Sequence, residues 1–396
     1  MVEVLGVRKE KNNMPKLLMV TTIAATLKSF LLPHVKLMQE QGWIVDGMAY
    51  GISENTACAD AFDSCFEIQW SRNPLDFINM FRVVRQVRDV VKTGEYDIVH
   101  VHTPIAAAVT RFALRKSQKK KEVKVIYTAH GFHFYKGAPL LNWLVYYPIE
   151  KFLSRYTDVL ITINKEDFAR AKTFHAKKVE YIPGVGIDID KIQNVSVDKC
   201  KKRKKLGIPE DAFLIISVGE LNKNKNHEIV IKAISMLSVN ENVCYIIAGT
   251  GPLHDYLQSL IDELGLNSKI HLLGYRTDVI ELLKISDCFV FPSKREGLGL
   301  AALESMAAGL PLISTYIGGI RDYTNDGTGC CITDPLDAKA MEEAIQKMRD
   351  DPVFRANCEK NNKEIVIKFD LKISLKIMKQ AYEICNVGKS KYDTAI

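Results

Sequence analysis

The sequence has no long apolar run. Its longest runs, such as LLMV at 17–20 and VCYIIAG at 243–249, fall far short of the ~20 residues that a membrane-spanning helix needs. No signal peptide is recognisable. We therefore expect a cytoplasmic protein without a membrane-spanning segment.

Cysteine motifs and the common phosphate loops are also missing. The nine cysteines form no CxxC pair and show no Cys/His spacing, which favours reduced core cysteines over a zinc framework. The first predicted strand is followed by TTIAAT rather than GxGxxG, and no GxxxxGK[ST] occurs. The sequence therefore lacks the phosphate-binding loops of dinucleotide-dependent oxidoreductases and of P-loop enzymes.

Apolar strand-like segments alternate with helical patterns in two cycles along the 396 residues. The segments lie at 16–24, 43–50, 96–102, 123–131 and 157–163, and then at 212–221, 243–252, 269–275, 287–293 and 310–319. Such near-continuous apolar strands indicate parallel sheets that are covered on both faces. We predict an α/β protein of two Rossmann-like, doubly wound domains, residues 1–195 and 196–369. The segment IVIKFDLKISLKIMKQAYEIC at 365–385 is predicted to be an amphipathic helix.

The net charge of +7 favours anionic partners. A helix at 79–92 would place Met80, Val84, Val87 and Val91 on one stripe, with arginines off it, and a lysine-rich segment follows at 113–124. These residues form either an ordinary solvated surface or a cationic surface that rests on anionic lipid.

Ligands of doubly wound sheets bind outside the carboxyl ends of the strands. His102, His130 and Gly251 each follow a predicted strand, and Glu296 follows the strand at 287–293.

The stretch KREGLGLAALESMAAGLP at 294–311 offers a diphosphate site. A helix that begins near Gly297–Gly299 would direct free N–H groups and the positive end of its dipole at an anion, and Lys225 would add a cation. Carboxylates cannot bind diphosphate, so Glu296 and Glu304 are expected to accept hydrogen bonds from hydroxyls. This arrangement predicts a nucleotide-sugar, with one glutamate for the hexose and one for the ribose.

These residues form part of a pattern that extends from about residue 16. REGLGLAALESMAAGLP with GGxxD, together with VGELNKNKNH, AGTGPL, LLGYRTDV, YIPGVGID and YTAHGFHFYKGAP, resembles the signature of family 4 retaining glycosyltransferases of the GT-B fold. The pattern is most similar to bacterial members that build capsular, exopolysaccharide or other glycans on undecaprenyl diphosphate.

The resemblance implies two facing domains with a cleft between them. The first would bind the acceptor and be completed by the C-terminal helix at 370–396, and the second would bind the donor. It implies no metal or other cofactor beyond the UDP-sugar co-substrate, and nucleic acid is not an expected partner.

The resemblance also assigns roles to residues. Glu304 would bind the ribose, Glu296 the donor hexose, and Lys225 the diphosphate, while His130 would lie beside the anomeric carbon. The other donor-side residues would be Gly219, Gly251, Gly297, Leu298, Gly299, Leu300, Tyr275 and Arg276, of which the last two, with Gly274, would hold the base. Many relatives carry Arg where this chain has Glu220, which leaves Lys223, Arg321 or backbone amides to assist Lys225.

The acceptor side is less defined by the sequence. For Thr21, Thr22 and His102, acceptor contact and packing remain open alternatives. In FHFYKGAPLLNWLVYYP at 132–148, we expect His133, Tyr135 and Lys136 to face the acceptor and the second half to pack in the core.

The predicted reaction moves a hexose or N-acetylhexosamine from a UDP-sugar to a polyprenyl-diphosphate-linked saccharide at the inner face of the plasma membrane. No Asp or Glu is an obvious nucleophile, so front-face displacement is expected, with Lys225 and the helix dipole stabilising the departing diphosphate. The alternatives are a UDP-sugar hydrolysing epimerase, a transferase for a soluble acceptor, and a non-enzymatic binding protein in an assembly complex.

Overall fold

The computed structural model describes residues 14–70, 77–238 and 241–386. It divides into two compact units, one formed by the chain up to Val185 with the segment from Lys372 onward, and one formed by Gly186–Leu371. Residues 186–195, which the sequence interpretation assigned to the first domain, lie in the second unit.

The first unit contains a seven-stranded parallel sheet with the order β3-β2-β1-β4-β5-β6-β7. Its strands are β1 Lys16–Ile23, β2 Ile44–Tyr50, β3 Cys65–Glu67, β4 Ile98–His102, β5 Lys124–Ala129, β6 Val159–Thr162 and β7 Lys178–Tyr181. The two edge strands, β3 and β7, were not predicted because they are short and have no buried residue to produce an apolar run.

Helices connect these strands, as parallel pairing requires. They are α1 Ala24–Phe30, α2 Leu32–Glu40, α3 Thr56–Ala61, α4 Phe77–Gly94, α5 Pro104–Lys119, α6 Leu140–Leu153 and α7 Lys165–Ala171. In α4 the predicted stripe of Val84, Val87 and Val91 is buried. The side chain of Met80, the fourth member of that predicted stripe, lies outside the described residues.

The second unit contains a six-stranded parallel sheet with the order β10-β9-β8-β11-β12-β13. Its strands are β8 Phe213–Val218, β9 Val243–Ala248, β10 Ile270–Leu272, β11 Cys288–Phe291, β12 Leu312–Thr315 and β13 Gly329–Ile332. Its helices are α8 Ile189–Asn194, α9 Lys199–Lys205, α10 His227–Met236, α11 His254–Glu263, α12 Val279–Ile285, α13 Leu300–Ala307, α14 Ala338–Asp350 and α15 Pro352–Val366. The edge strand β13 was not predicted.

Both sheets reverse their strand order at one place. In the first unit this switch point lies between β1 and β4, and in the second it lies between β8 and β11. Loops that leave two such strands run in opposite directions and open a crevice at the carboxyl edge, where doubly wound folds bind ligands. The prediction of two Rossmann-like units with parallel sheets is confirmed.

The C-terminal segment is interrupted, whereas the sequence predicted one helix over 365–385. Helix α15 ends in a 3₁₀ turn at Ile367–Phe369, and α16 Leu371–Asn386 follows. The break occurs at Asp370, whose backbone is extended and pairs with Ile187. Helix α16 packs Met378 and Tyr382 into the core that contains β1 of the first unit. No helix in the described part of the chain combines the length and apolarity needed to cross a bilayer.

Candidate active site

Two loops meet at the switch point of the second unit. The loop after β8 leads to Lys225 and the loop after β11 leads to Glu296, and the Lys225 Nζ lies 2.6 Å from Glu296 Oε1. Asn224 fastens the loops together, because its Nδ2 donates to the Arg295 carbonyl oxygen at 2.9 Å. Asn226 adds a second link by donating to the Pro292 carbonyl oxygen at 3.1 Å. The strand order therefore brings together two residues that are 71 positions apart.

Lys225 is positioned by its own turn. Asn222 Oδ1 accepts hydrogen bonds from the backbone N–H groups of Asn224 and Lys225, each at 2.9 Å. The Lys225 Nζ also lies 4.9 Å from the centre of the Phe291 ring. The side chains of Lys225 and Glu296 are only 22% and 12% exposed. The sequence interpretation gave them separate ligands, and the structure adds that they are paired with each other.

Helix α13 begins directly beyond Glu296. Gly299 precedes it with φ of +85°, and no side chain in the described part of the chain caps the helix start. A Cβ on Gly299 would lie 2.5 Å from Phe291 Cε1, so glycine is required by both the backbone angle and the space. Tyr323 supports the turn by donating to the Leu298 carbonyl oxygen at 2.8 Å. The first backbone N–H groups of this helix are therefore open to an anion.

Gly318 and Gly319 hold the turn from the other side. A Cβ on Gly318 would lie 2.3 Å from the Glu296 carbonyl oxygen, and one on Gly319 would lie 1.9 Å from that of Gly297. No individual role was predicted for these glycines or for Tyr323. For the two glycines the GGxxD motif was the signal in the sequence, because adjacent glycines indicate a close approach of two backbone segments.

Glu304 lies in the second turn of α13. Its carboxylate has no hydrogen bond or ion pair with any of the described residues. Burial raises its pKa to about 7, although the positive charge of Lys191 on α8 partly lowers that pKa. A half-buried carboxylate without a partner costs stability when ionised. Its unused acceptor capacity suits it to the hydroxyls of a ligand.

The remaining donor-side residues divide into two groups. Gly219 and Gly251 allow close approach, because a Cβ would lie 3.3 Å from Lys225 Cδ at Gly219 and 2.5 Å from the Leu221 carbonyl oxygen at Gly251. Tyr275 is 78% exposed. Arg276 is already engaged, since its Nε and Nη2 donate to Asp278 at 2.8 and 2.6 Å, and these bonds hold the pKa of Asp278 well below its usual range.

Glu220 stands where many relatives carry Arg. Its Oε2 accepts a hydrogen bond of 2.8 Å from Asn222 Nδ2, and the same Asn222 side chain positions Lys225. Glu220 thus supports the lysine-bearing turn. Of the suggested substitutes for the missing arginine, Lys223 is exposed and Arg321 donates to the Tyr316 carbonyl oxygen at 2.8 Å.

A different pair meets at the switch point of the first unit. Thr22 at the end of β1 and Thr103 after β4 approach with their hydroxyl oxygens 2.7 Å apart, and the Thr22 N–H donates to the Thr103 hydroxyl at 3.0 Å. Thr103 has φ of +62°, a strained angle for a β-branched residue. Thr21, by contrast, is fully buried and its hydroxyl donates to the Ile23 carbonyl oxygen. For Thr21 the structure favours packing over acceptor contact.

His130 follows β5 and is half-buried, with its Nε2 3.0 Å from His102 Nδ1. Burial lowers the pKa of His130 to about 4, so the ring is neutral near pH 7. His102 is fully buried. It cannot offer its side chain to a large acceptor, and its contact with His130 instead makes it a positioning residue for that ring.

Two further histidines extend this cluster, and the sequence interpretation missed both. His100 is buried between the Tyr382 hydroxyl at 2.7 Å and the Thr128 hydroxyl at 2.8 Å. His34 Nε2 lies 3.4 Å from Ser374 Oγ. Tyr382 and Ser374 belong to α16, about 280 or more positions away in the sequence, so no local pattern could reveal the cluster.

The segment after His130 differs from the prediction in its second half. His133 packs its ring 4.8 Å from that of Tyr146, and Lys136 is exposed, with its N–H bonded to Glu166 at 2.7 Å. Tyr135 is half-buried. The prediction that the second half packs in the core was wrong for most of its apolar residues, which α6 places on the surface.

Comparison with known proteins identifies the chain. Residues 39–191 match the protein-family model described as "Glycosyltransferase Family 4". Residues 198–365 match the model described as "Glycosyl transferases group 1". EpsD of Bacillus subtilis (strain 168), a protein named as a glycosyltransferase, is 36% identical over 358 residues, which cover 89% of this chain and 92% of EpsD. The chain belongs to glycosyltransferase family 4.

Other comparisons agree with this family-4 assignment. The Escherichia coli protein named UDP-Gal:alpha-D-GlcNAc-diphosphoundecaprenol alpha-1,3-galactosyltransferase is 29% identical over 289 residues, 71% of this chain and 74% of its own. HepE of Anabaena, solved with UDP and glucose, superimposes with a TM-score of 0.76 at 18% identity, over 93% of this chain and all of HepE. Sucrose-phosphate synthase of Thermosynechococcus elongatus gives 0.77 at 17% identity, over 94% and 100%. The fold is therefore GT-B, as predicted, and the chain is a glycosyltransferase.

Proposed function

We propose that this family-4 glycosyltransferase transfers a hexose or N-acetylhexosamine, with retention of the α configuration, from a UDP-sugar to an undecaprenyl-diphosphate-linked saccharide. The observation that carries the proposal is the arrangement in the second unit. There the Lys225–Glu296 pair precedes the start of α13 and Glu304, which has no partner among the described residues, follows it along the chain.

The donor site follows from this arrangement. The open N–H groups of α13 and the Lys225 ammonium would take the diphosphate, and Glu304 would accept hydrogen bonds from the ribose. When the diphosphate takes Lys225, Glu296 loses its cation and becomes available to the hydroxyls of the hexose. The bound UDP of HepE and the UDP-Gal donor named for the E. coli relative support a uridine diphosphate donor.

The reaction proceeds without a carboxylate nucleophile. The anomeric carbon–oxygen bond breaks and its electron pair leaves with UDP. The acceptor oxygen bonds to the same face of the sugar, and its proton goes to the departing diphosphate. Lys225 and the α13 dipole stabilise the negative charge that develops on the leaving group. His130, neutral because burial lowers its pKa to about 4, would orient the donor and acceptor.

The acceptor and location are proposed from the relatives and the charge. The E. coli relative is named for a diphosphoundecaprenol-linked GlcNAc acceptor, and a net charge of +7 suits an anionic membrane. We therefore place the enzyme in the cytoplasm, bound peripherally to the inner face of the plasma membrane.

A donor screen tests the proposal. The purified protein is incubated with a panel of UDP-sugars, with and without polyprenyl-diphosphate-linked GlcNAc, and UDP release and the glycolipid product are measured. Acceptor-dependent UDP release with a longer glycolipid supports the proposal. Release of UDP without acceptor, with epimerised or free sugar, would establish the hydrolysing epimerase instead. Turnover on soluble saccharides alone would overturn the lipid-linked acceptor, and tight UDP binding without any turnover would indicate a binding protein.

A further inference from the structure

Helix α6 presents an apolar face to solvent. Leu140, Leu141 and Leu144 are 74%, 68% and 65% exposed. Further large apolar side chains on the same helix are exposed as well, namely Val145, Tyr146, Ile149 and Phe152. Scattered exposed apolar residues are ordinary, but a contiguous group of this size marks a binding surface.

The opposite side of α6 fixes the helix to the first unit. Trp143 and Tyr147 pack their rings 5.8 and 5.4 Å from that of Phe134 in the core. Glu150 is buried and pairs with the buried Arg111 of α5 at 2.7 Å. The apolar face therefore belongs to a firmly packed helix whose other side packs against the core of the first unit.

The chain segment that carries this apolar face is rich in cations. Residues 103–156 contain ten Lys or Arg and two Glu. Glu150 is neutralised inside the protein by Arg111, and Glu122 lies 3.7 Å from Lys120. The exposed cations of the segment are Lys116, Lys119, Lys120, Lys121, Lys136 and Arg155.

The cations and the aromatic rings are interleaved. Arg115 lies 4.0 Å from the ring centre of Phe112, Arg155 lies 5.6 Å from that of Phe152, and Lys119 lies 5.6 Å from that of Tyr156. Phe112 is itself 42% exposed on α5. Apolar and cationic groups on one surface match the boundary between acyl chains and anionic headgroups. A soluble apolar partner would leave these cations without complementary negative charges.

We propose that the docking face, formed by the exposed apolar residues of α6 and the cations of α5 and the Ser154–Tyr156 turn, binds the surface of a bilayer that contains anionic phospholipid. Leu140, Leu141, Leu144 and Ile149 enter the headgroup region, and the lysines and arginines contact lipid phosphates. This proposal deepens the proposed function and rests on it only for the location of the acceptor. It moves the membrane contact from a purely cationic surface to an apolar one with cations around it.

Vesicle sedimentation tests the docking face without any substrate. The full-length protein is mixed with one of two kinds of vesicle, which serve as the probe. One kind is phosphatidylcholine alone, and the other is phosphatidylcholine with about 30% phosphatidylglycerol. We expect binding to the anionic vesicles and at least about tenfold weaker binding to the neutral ones. The double variant Leu141→Glu/Leu144→Glu should lose at least about tenfold in affinity for anionic vesicles. Lys116→Glu/Lys119→Glu should lose about fivefold or more per charge.

Matched controls lie in the second unit. Leu336 and Val353 are 63% and 70% exposed, so Leu336→Glu/Val353→Glu makes the same chemical change away from α6. Lys204→Glu/Lys205→Glu does the same for charge in the lysine-rich helix α9. Both controls should bind anionic vesicles like the wild type. Thermal unfolding checks that all variants stay folded, which their surface positions favour.

The outcomes separate the possible occupants of the face. The docking face is wrong if the wild type does not sediment with anionic vesicles, or if the α6 variant binds as well as its control. It is also wrong if the α6 variant only dissolves a dimer seen by analytical ultracentrifugation in the absence of lipid. Turnover on a short-chain, water-soluble acceptor is measured in parallel. Normal turnover with lost vesicle binding supports the docking face, whereas vesicle binding without turnover contradicts the proposed function alone.

Discussion

Counted from each unit's own first strand, both sheets have the order 3-2-1-4-5-6, to which the first unit adds β7. Each unit brings one pair of side chains together at its switch point. In the first unit the pair is Thr22 and Thr103, two hydroxyls 2.7 Å apart. In the second it is Lys225 and Glu296, an ammonium and a carboxylate 2.6 Å apart. The same topology therefore supports a neutral site in one unit and a charged site in the other.

The surroundings of the pairs differ in the same way. In the first unit the carboxyl ends of β4 and β5 carry the buried His100 and His102 and the half-buried His130, and burial lowers the pKa of each ring and keeps it neutral near pH 7. In the second unit Glu304, in the helix that follows Glu296, is a carboxylate whose pKa burial raises to about 7. The contrast agrees with the proposed donor, whose diphosphate is charged, and with the proposed acceptor, whose reacting hydroxyl is neutral.

The largest expected effect comes from the charged pair. Lys225→Ala should lower kcat by about 10²–10³ or more, because the leaving diphosphate loses its cation in the transition state. Steady-state kinetics with the preferred UDP-sugar measure this. Lys232→Ala, on the exposed side of α10 where the lysine pairs with Glu228 at 2.5 Å, is the matched control and should behave like the wild type. A Lys225→Ala enzyme with near-normal turnover would remove the assignment.

Glu304 provides the second test. Glu304→Ala should raise the KM for the donor by about tenfold or more, because a hydrogen bond to a charged group contributes ~1.5–3 kcal/mol. In the wild type, donor affinity should rise with pH through about 7, since the ionised carboxylate is the better acceptor. Glu304→Gln should have a flat profile there. An unchanged pH profile in Glu304→Gln would show that another group titrates.

The histidine cluster should make the first unit sensitive to acid. Burial lowers the pKa of His34 and His130 to about 4 from an ordinary 6.5, and lowers those of His100 and His102 well below it. The unfolded chain then binds more protons than the folded one below pH 6.5, so stability falls as the pH drops from 6.5 through about 4.

Hydrogen exchange by mass spectrometry at pH 7.5 and 5 measures this loss by region. Peptides of β4, β5 and α16 should lose protection before those of β8 and β11. In the second unit burial lowers the pKa of His227 to about 4 and also lowers that of His271, so the contrast is one of degree, four histidines against two. Equal losses of hydrogen-exchange protection in the two units would contradict this predicted difference.

A smaller effect should come from the glycine before α13. Gly299→Ala combines backbone strain with a clash of 2.5 Å against Phe291, whereas Gly265→Ala, at φ of +66°, meets nothing within 4 Å. We expect Gly265→Ala to cost about 1 kcal/mol and Gly299→Ala about 1–3 kcal/mol more. Denaturant unfolding gives both values, and equal costs would show that the site yields around a methyl group.

The smallest effect should come from the neutral pair. Thr103→Ala removes the hydrogen bonds of one neutral hydroxyl, to Thr22 and to the His102 carbonyl oxygen, each with a net contribution of ~0.5–1.5 kcal/mol and none of them made to the leaving group. It should therefore lower kcat less than about tenfold in the same assay. A loss as large as that of Lys225→Ala would mean that the first switch point takes part directly in the chemistry.

Sequence patterns predicted the central strands because those strands are almost wholly buried and form continuous apolar runs. Edge strands such as β3 and β7, half-buried and three or four residues long, leave no such run. The break at Asp370 was also invisible, since it depends on pairing with Ile187.

The same division applies to the site. Glu296, Gly299 and Glu304 are close in the chain, so one stretch could indicate a helix start between two carboxylates. The pairing of Lys225 with Glu296 and the contact of Tyr382 with His100 depend on residues 71 and 282 positions apart. The exposure of α6 could not be predicted either, because an apolar helix has the same composition in a core and on a membrane-binding surface.

In the proposed function Lys225 and the start of α13 bind the diphosphate of a nucleotide-sugar. Calorimetric titration of the wild type and of Lys225→Ala with UDP and UMP tests it most directly. We expect the wild type to bind UDP at least about tenfold more tightly than UMP, because the second phosphate gains charge-assisted hydrogen bonds. Lys225→Ala should lose most of this difference. Equal affinities for UDP and UMP in the wild type would contradict it.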